Sequence, residues 1–459
     1  MARIRGAGSE RRSPALGDEA ADEQAGSPRK GLMTMPEVRR AAVIGGNRIP
    51  FARARGAYAG ASALELLTAT LDGLAARFEL TGESLGEVVG GAVLKHSRDR
   101  DLTREAVLGS SLSATTPAYD LQQACATGLE TMISVANKIA LGQIESGVAA
   151  GADSASDAPI AVNDELRRIL LDVAAATTLP AKAAVLTRLR PHQLVPEGPR
   201  NAEPRTGLSM GEHAAITAEE WQIGRQEQDE LAVASHHNLA AAYARGFFDD
   251  MVTPYLGLTR DQTLRPDTSV RRLAQLKPVF GGAAGTMTAG NSTPHTDGAA
   301  AVLLGSDDWA AERGLPVLAH VVDAEAAAVD FVNGPDGLLT APVFAVPRLL
   351  ERNGLALQDF DFYEIHEAFA SVVLVTLKAW EDERFAKERL GLDEPLGPID
   401  RSRLNVVGSS LATGHPFAST GGRIVATLAK LLHEKGSGLG LISICAAGGQ
   451  GVAAILEAA

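Results

Sequence analysis

The sequence predicts an α/β protein made of two similar halves, with a mostly helical loop domain inserted into the first half. Short buried strands alternate with amphipathic helices along the 459 residues, a pattern typical of α/β folds. Around Cys125 the order is a short strand, a cysteine at a helix start, a helix, a glycine and a strand. A loose echo follows downstream, where residues 418–424 open a helix and residues 439–444 form a strand, which indicates an internal repeat.

Length and composition limit the classes of function. At 459 residues the chain is long for one compact core, so two or more lobes are expected. The net charge of −13, from 43 basic and 56 acidic residues, argues against a general nucleic-acid binder. The longest uncharged run, residues 436–456, contains six glycines and indicates a strand, a turn and a second strand rather than a membrane span.

The chain has only two cysteines, Cys125 and Cys445, which do not make a disulfide framework. A reducing compartment is the default for such a chain, and we expect a cytoplasmic location. No cluster of His and Cys has the sequence spacing of a zinc site, so neither a metal nor a bound cofactor is expected.

The N-terminal half is predicted to begin after a tail. Residues 1–36 mix acidic and basic side chains with few large apolar ones, a composition of disorder, and we expect them to be dispensable for folding. The following elements are predicted by apolar runs and helical periodicity: a strand at 40–46, a turn at 47–51, a helix at 63–78, a strand at 87–94, a helix at about 129–141 and a strand at 148–152.

The predicted insert, residues 156–254, divides this half into residues 37–155 and residues 255–306. The second half is residues 307–459. Residues 164–173 are amphipathic, and a long helix is predicted at about 227–243. Arg188 and Arg190 belong to a basic, proline-containing stretch between them. Such a stretch is more often a solvated face, and the functional alternative is a binding site for phosphates or for an acidic surface.

Three polar residues are placed for chemistry. Cys125 lies just before a helix, where the helix dipole lowers a thiol pKa from about 8.5 and a neighbouring histidine lowers it further. His415 stands on a stiff corner between Gly414 and Pro416. Cys445 ends an apolar strand and precedes a glycine-rich turn, where it can be reached.

Four motifs together resemble those of the thiolases in their order and rough spacing, and the resemblance extends from Arg40 to Glu457. They are Cys125-Ala-Thr-Gly128, His366-Glu-Ala-Phe-Ala370, Gly414-His-Pro416 and Cys445-Ala-Ala-Gly448. His366 replaces the asparagine of the commonest thiolases, and Ala447 departs from their usual Cys-x-Gly. Both departures, with the long basic insert, resemble the β subunits of trifunctional fatty-acid oxidation complexes, which are 3-ketoacyl-CoA thiolases.

The resemblance implies a thiolase-like fold, in which the two halves form a layered αβαβα core, and an acyltransferase activity. Cys125 would attack the 3-keto carbon of a 3-ketoacyl-CoA, with His415 taking its proton. His415 and a water held by His366 would stabilise the acetyl-CoA enolate, and Cys445 would protonate its carbon. Backbone N–H groups near Cys125 and Ala447 would form a second oxyanion hole. The resemblance also places Thr293, Phe369 and Ala447 among the residues that contact substrate and CoA.

Two other functions stay open at this point. A biosynthetic acetoacetyl-CoA thiolase would use the same residues with the opposite net flux. A non-catalytic acyl-CoA-binding or sterol-binding relative is disfavoured, because Cys125 and Cys445 are both present. The expected partners are acyl-CoA and CoA, a second or further copies of the chain in a homodimer or homotetramer, and a hydratase/dehydrogenase α subunit. We expect no nucleic acid and at most peripheral membrane contact.

Overall fold

A computed structural model describes residues 38–459. The predicted tail, residues 1–36, lies outside the described residues. The strands are β1 Ala41–Arg48, β2 Ala52–Arg53, β3 Glu87–Gly90, β4 Ala118–Asp120, β5 Ser146–Ser154, β6 Ala161–Val162, β7 Pro196–Glu197, β8 Thr296–Gly305, β9 Ala319–Ala328, β10 Phe362–Ile365, β11 Leu439–Ala446 and β12 Gln450–Ala458. The helices are α1 Ala63–Arg77, α2 Leu102–Gly109, α3 Thr127–Ala140, α4 Asp164–Ala175, α5 Leu179–Leu186, α6 Met210–Glu220, α7 Arg225–Ala244, α8 Val270–Leu273, α9 Asp307–Glu312, α10 Ala341–Asn353, α11 Ala370–Glu381, α12 Glu383–Phe385, α13 Ser410–Thr413 and α14 Ser419–Lys435.

The strand order is the same in the two halves. In the first half β1, β8, β5 and β3 are neighbours, with two antiparallel pairs followed by a parallel one. In the second half β9, β12, β11 and β10 repeat this order and these directions. The strands β1 and β9 also pair with each other antiparallel, which joins the halves. The internal repeat predicted from the sequence is therefore confirmed.

Two helices, α3 and α14, meet at glycines between the two halves of the sheet. A Cβ atom on Gly128 would lie 2.4 Å from the carbonyl oxygen of Ala418, and one on Gly421 would lie 2.1 Å from the amide nitrogen of Leu129. Only glycine permits this approach of two backbones. The contact holds the start of α3, just after Cys125, beside the start of α14, just after His415.

Further helices cover the outer faces, which completes the predicted αβαβα layering. Leu67, Leu71 and Leu74 of α1 are fully buried in an apolar cluster with β5 and β8. On the other side α10 and α11 bury apolar side chains against β10, β11 and β12. The central layer holds the largest cluster, which α3 and α14 dominate.

Several predicted elements are confirmed and two are corrected. Helix α1 begins at a capping box of Ser62 and Glu65, as its predicted start requires. The predicted strand at 87–94 ends at Gly90, because the amides of the next residues turn to the Asp153 carboxylate instead of a neighbouring strand. The predicted turn at 47–51 is wrong at its start, since β1 continues to Arg48, whose guanidinium forms a buried ion pair with Asp261.

The first helices of the insert, α4 and α5, are poorly buried, whereas α7 at its end packs Ala232, Leu239 and Ala242 into the protein. The predicted amphipathic segment forms α4, yet only Ile169 of its side chains is buried and Leu170 is 48% exposed. Arg188 pairs with Asp172 on the surface, and Arg190 donates to nearby backbone carbonyls. These two arginines are therefore engaged locally. Within residues 38–459 no helix combines the length and apolar character needed to cross a bilayer.

Candidate active site

Cys125 lies in a 3-10 turn, Ala124–Ala126, that leads directly into α3. Ala124 has a positive φ of 45°, a strained backbone conformation for a residue other than glycine. The backbone N–H of Ala447 lies close enough to the thiol to favour its thiolate form. Burial nevertheless raises the pKa of Cys125 to about 12. The expectation that the helix dipole lowers this pKa is therefore wrong, because desolvation outweighs it.

His415 is held as a neutral base. Its backbone N–H donates to the Thr296 hydroxyl at 2.9 Å, across a Gly414 whose φ is +91°. Its Nδ1 lies 2.6 Å from the hydroxyl of Thr420, while Nε2 has no hydrogen-bond partner within the described chain. Burial, with the charge of Arg423, lowers the pKa of His415 to about 3. The ring is therefore neutral, and the lone pair of its Nε2 faces no protein donor within the described chain.

His366 follows β10 and faces the same space. Its backbone N–H donates to the carbonyl of Ser443 at 2.8 Å, and its Nδ1 lies 2.8 Å from the hydroxyl of Ser410. Nε2 of His366 also lacks a partner among residues 38–459. Burial, followed by the nearby His415 and Arg423, lowers the pKa of His366 well below 6.5. His366 is therefore neutral at physiological pH.

The fold brings three of the predicted residues into one cluster. A single ligand-type atom from each of Cys125, His366 and His415 lies within 4.8 Å of the other two. Thiolate and imidazole are ligands that zinc prefers, and this trio could hold such an ion. Sequence spacing does not reveal the trio, because its members come from three distant segments. The same arrangement suits proton transfer between a thiol and neighbouring imidazoles.

Cys445 completes the cluster from the end of β11. It is 3% exposed, and burial together with the neighbouring Cys125 sulfur raises its pKa, so that it is a neutral thiol. The turn after it requires positive φ at Gly448 and Gly449. The N–H of Gly448 donates to the carboxylate of Glu203 at 2.8 Å, so that the insert supports the turn.

Thr293 and Phe369 lie where the two halves meet. Both the amide and the hydroxyl of Thr293 donate to the carbonyl of Ala368, at 3.2 and 3.0 Å. Phe369 packs edge-to-face on Phe280, with ring centroids 6.1 Å apart, in the apolar cluster that includes Cys445.

Thr293 also lines a cleft of about 620 Å³. Its wall includes Arg53, Arg265 and His295. His295 is close enough to His415 to help lower the pKa of that ring, which places one end of the cleft beside the cluster. A cleft with a basic wall that reaches a thiol cluster suits a long anionic substrate.

Sequence reasoning missed Asp153, which joins the halves behind Cys125. Its buried carboxylate accepts hydrogen bonds from the backbone amides of Val93 and Leu94. It also accepts one, at 2.8 Å, from the amide of Ala418, three residues after His415. Burial raises the pKa of Asp153 to about 7. The signal in the sequence that could have indicated it is an acidic residue at the end of a predicted buried strand.

Known proteins resemble the whole described chain. The Thiolase, N-terminal domain family matches residues 41–308, and the Thiolase, C-terminal domain family matches residues 315–458. The 3-ketoacyl-CoA thiolase of Yersinia enterocolitica (serotype O:8, biotype 1B) is 39% identical over 424 residues, which cover 91% of this chain and 97% of that protein. The 3-ketoacyl-CoA thiolase of Yersinia pestis (strain Pestoides F) has the same identity and coverage.

Solved structures agree. The Bacillus anthracis acetyl-CoA acetyltransferase superimposes with a TM-score of 0.76 and 29% identity, covering 92% of this chain and 100% of that one. Human mitochondrial 3-ketoacyl-CoA thiolase in complex with CoA superimposes with a TM-score of 0.75 and 27% identity, covering 93% of this chain and 99% of that one. With two family domains that span residues 41–308 and 315–458, and relatives at 39% identity, this chain belongs to the thiolase family.

Proposed function

We propose that this chain is a 3-ketoacyl-CoA thiolase, an acetyl-CoA C-acyltransferase of fatty-acid β-oxidation. It would cleave a 3-ketoacyl-CoA with CoA into acetyl-CoA and an acyl-CoA two carbons shorter. The convergence of Cys125, His366, His415 and Cys445 on one buried space carries the proposal, because each contributes a group that this reaction uses. The 39% identity to proteins named 3-ketoacyl-CoA thiolase favours this substrate class.

The first step forms the acyl-enzyme. The sulfur of Cys125 attacks the 3-keto carbon while its proton passes to Nε2 of His415. A thiol with a raised pKa does not ionise alone at neutral pH, so the base must take the proton as the bond forms. His415 can do so in the tautomer whose Nδ1–H donates to the Thr420 hydroxyl.

The second step breaks the C2–C3 bond and leaves the enolate of acetyl-CoA. Its oxygen receives hydrogen bonds from protonated His415 and from Nε2–H of His366, directly or through a water. The Cys445 thiol gives its proton to C2, which releases acetyl-CoA. Burial keeps Cys445 protonated until this moment, because it disfavours the thiolate.

The third step transfers the acyl group to CoA. The CoA thiol gives its proton to the Cys445 thiolate and attacks the thioester on Cys125. The N–H of Ala447, which lies near the Cys125 sulfur, would stabilise the oxyanion of this intermediate. The Cys125 thiolate leaves and regains its proton from His415, so that every group returns to its starting state. The cycle uses no resident metal or cofactor.

The cleft beside Thr293 is the proposed CoA site. Its arginines suit the phosphates, and its apolar wall near Phe280 and Phe369 suits the pantetheine and acyl chain. A homodimer or homotetramer, association with a hydratase/dehydrogenase α subunit and a cytoplasmic location stay predictions.

Thiolysis by the purified protein tests the function. We expect consumption of 3-ketoacyl-CoA that requires CoA and yields equal amounts of acetyl-CoA and shortened acyl-CoA, and none of this with Cys125→Ala. The second candidate is an acetoacetyl-CoA thiolase, which the similarity to the Bacillus anthracis acetyltransferase favours. Rates of thiolysis of 3-ketoacyl-CoA substrates with acyl chains of four or more carbons distinguish the two candidates. Activity confined to acetoacetyl-CoA would establish that candidate instead.

A further inference from the structure

A buried chain of hydrogen bonds ends on Nδ1 of His366. Arg423, on α14, donates from one guanidinium nitrogen to the hydroxyls of Ser409 and Ser410, at 3.1 Å each. The Ser410 oxygen lies 2.8 Å from Nδ1 of His366. All four side chains are buried, so that solvent does not compete for these bonds.

The direction of each hydrogen bond in this chain follows from the donors available. A guanidinium carries only donors and stays protonated in proteins, so Ser410 must accept from Arg423. Within residues 38–459 the only other hydrogen-bond partner of the Ser410 hydroxyl is Nδ1 of His366. A buried hydroxyl proton without an acceptor would cost free energy, so we take this proton to lie on the bond to Nδ1, which is then the acceptor. A neutral imidazole that accepts at Nδ1 carries its proton on Nε2.

We propose that Arg423 and Ser410 are positioning residues that lock His366 in its Nε2–H tautomer, so that His366 acts only as a hydrogen-bond donor and never as the base. The role of this donor rests on the proposed function, whereas the tautomer rests on the contacts of the resting protein. The two histidines then have separate tasks: Nε2 of His366 donates, and Nε2 of His415 accepts.

Burial and the charge of Arg423 oppose protonation of His366, and no neighbouring carboxyl group among the described residues pairs with its ring. Arg423 already supplies a positive charge, and His415 and Cys125 share the opposite face. Glu367 is occupied by hydrogen bonds from a serine, an asparagine and a backbone amide. Both carboxyl oxygens of Glu364 lack partners in the described part of the chain, so neither carboxyl pairs with the ring. A protonated His366 would also lose its bond from Ser410.

Nitrogen NMR of the full-length protein labelled with ¹⁵N-histidine reads the tautomer directly. The His366 signals are assigned by their loss in His366→Gln. We expect an unprotonated Nδ1 and a protonated Nε2, unchanged between pH 6 and 8. A protonated Nδ1 in the wild type, or titration within that range, would overturn the proposal. This result does not depend on any substrate, so it stands or fails separately from the thiolase activity.

Two adjacent serines provide a matched comparison. Ser410→Ala removes the bond to His366, whereas Ser409→Ala removes only the other bond from Arg423. We expect Ser410→Ala to mix the tautomers and to lower kcat for C–C cleavage by about 10- to 100-fold with little change in KM. Ser409→Ala should keep the wild-type tautomer and most of kcat. Equal spectra and equal losses in the two variants would contradict the proposal, and the wild-type spectrum decides it if Ser410→Ala does not fold.

Discussion

The imidazole rings of His366 and His415 lie side by side, with centroids 4.2 Å apart and planes inclined by 49°. Each ring has a hydroxyl at Nδ1, from Ser410 in one case and Thr420 in the other. Each Nε2 lacks a partner within residues 38–459. Two neighbouring buried imidazoles do not both carry charge, so the pair can offer one donor and one acceptor to the same substrate.

The donor role of His366 predicts a graded response to substitution. His366→Ala should lower kcat for C–C cleavage by about 10²–10³, the usual loss for one oxyanion donor. His366→Asn should retain more activity, because its amide can still donate. Steady-state kinetics on one 3-ketoacyl-CoA measures both. An Asn variant as inactive as the Ala variant would show that His366 does more than donate.

The role of Cys445 separates two reactions. Exchange of acetyl groups between CoA and a CoA analogue passes through Cys125 and forms no carbanion, whereas C–C cleavage forms one. In Cys445→Ser we expect cleavage to fall by about 10²–10⁴, the size of a lost acid or base, and exchange to fall much less. Rates of both reactions in one preparation make the comparison. Equal losses would contradict this role, because they would mean that proton exchange between Cys445 and the CoA thiol, which both reactions share, limits the variant rather than protonation at carbon.

The cleft predicts which arginines bind CoA. Arg53 and Arg265 line it and form no ion pair within the described chain. Reversal of either to Glu should raise KM for CoA about fivefold, the size of one exposed charge contact of about 1 kcal/mol, and more at low salt. Charge reversal at Arg188 and Arg190, which are engaged locally, is the control and should leave KM unchanged. The opposite pattern would move the CoA site to the insert.

The buried carboxyl of Glu364 predicts a dependence of stability on pH. Burial raises its pKa from 4.5 to about 8, so the folded protein keeps a proton that the unfolded chain loses. The free energy of unfolding therefore falls as pH rises from about 4.5 to 8, by at most about 1.4 kcal/mol per pH unit. Glu364→Gln, which stays neutral, removes this loss.

Urea unfolding at pH 5 and pH 8 measures the effect. We expect the free energy of unfolding of Glu364→Gln, relative to that of the wild type, to be larger at pH 8 than at pH 5. Glu219→Gln, at the exposed end of α6, should show a constant difference. A difference that is also constant for Glu364→Gln would show that this carboxyl is ionised in the folded protein at pH 5.

The sequence predicts the elements with strong local signals. Helix α1 has a capping box and a leucine stripe, and α14 begins within one residue of its predicted start. The cysteines and histidines of the cluster carry recognisable motifs. The residues that support them carry no such motif, because they act through contacts between distant segments. Asp153 contacts Ala418, more than 250 residues away, and Arg423 acts on His366, more than 50 residues away. The raised pKa of Cys125 also depends on burial, which no local pattern reveals.

The most direct test maps the acyl group. The protein is mixed with a 3-ketoacyl-CoA in the absence of CoA, quenched in acid, digested and analysed by mass spectrometry. We expect an acyl group two carbons shorter than that of the substrate on the peptide that contains Cys125, and an unmodified Cys445. The acyl group on Cys445 with Cys125 unmodified would contradict the assignment of nucleophile and acid on which the whole mechanism depends.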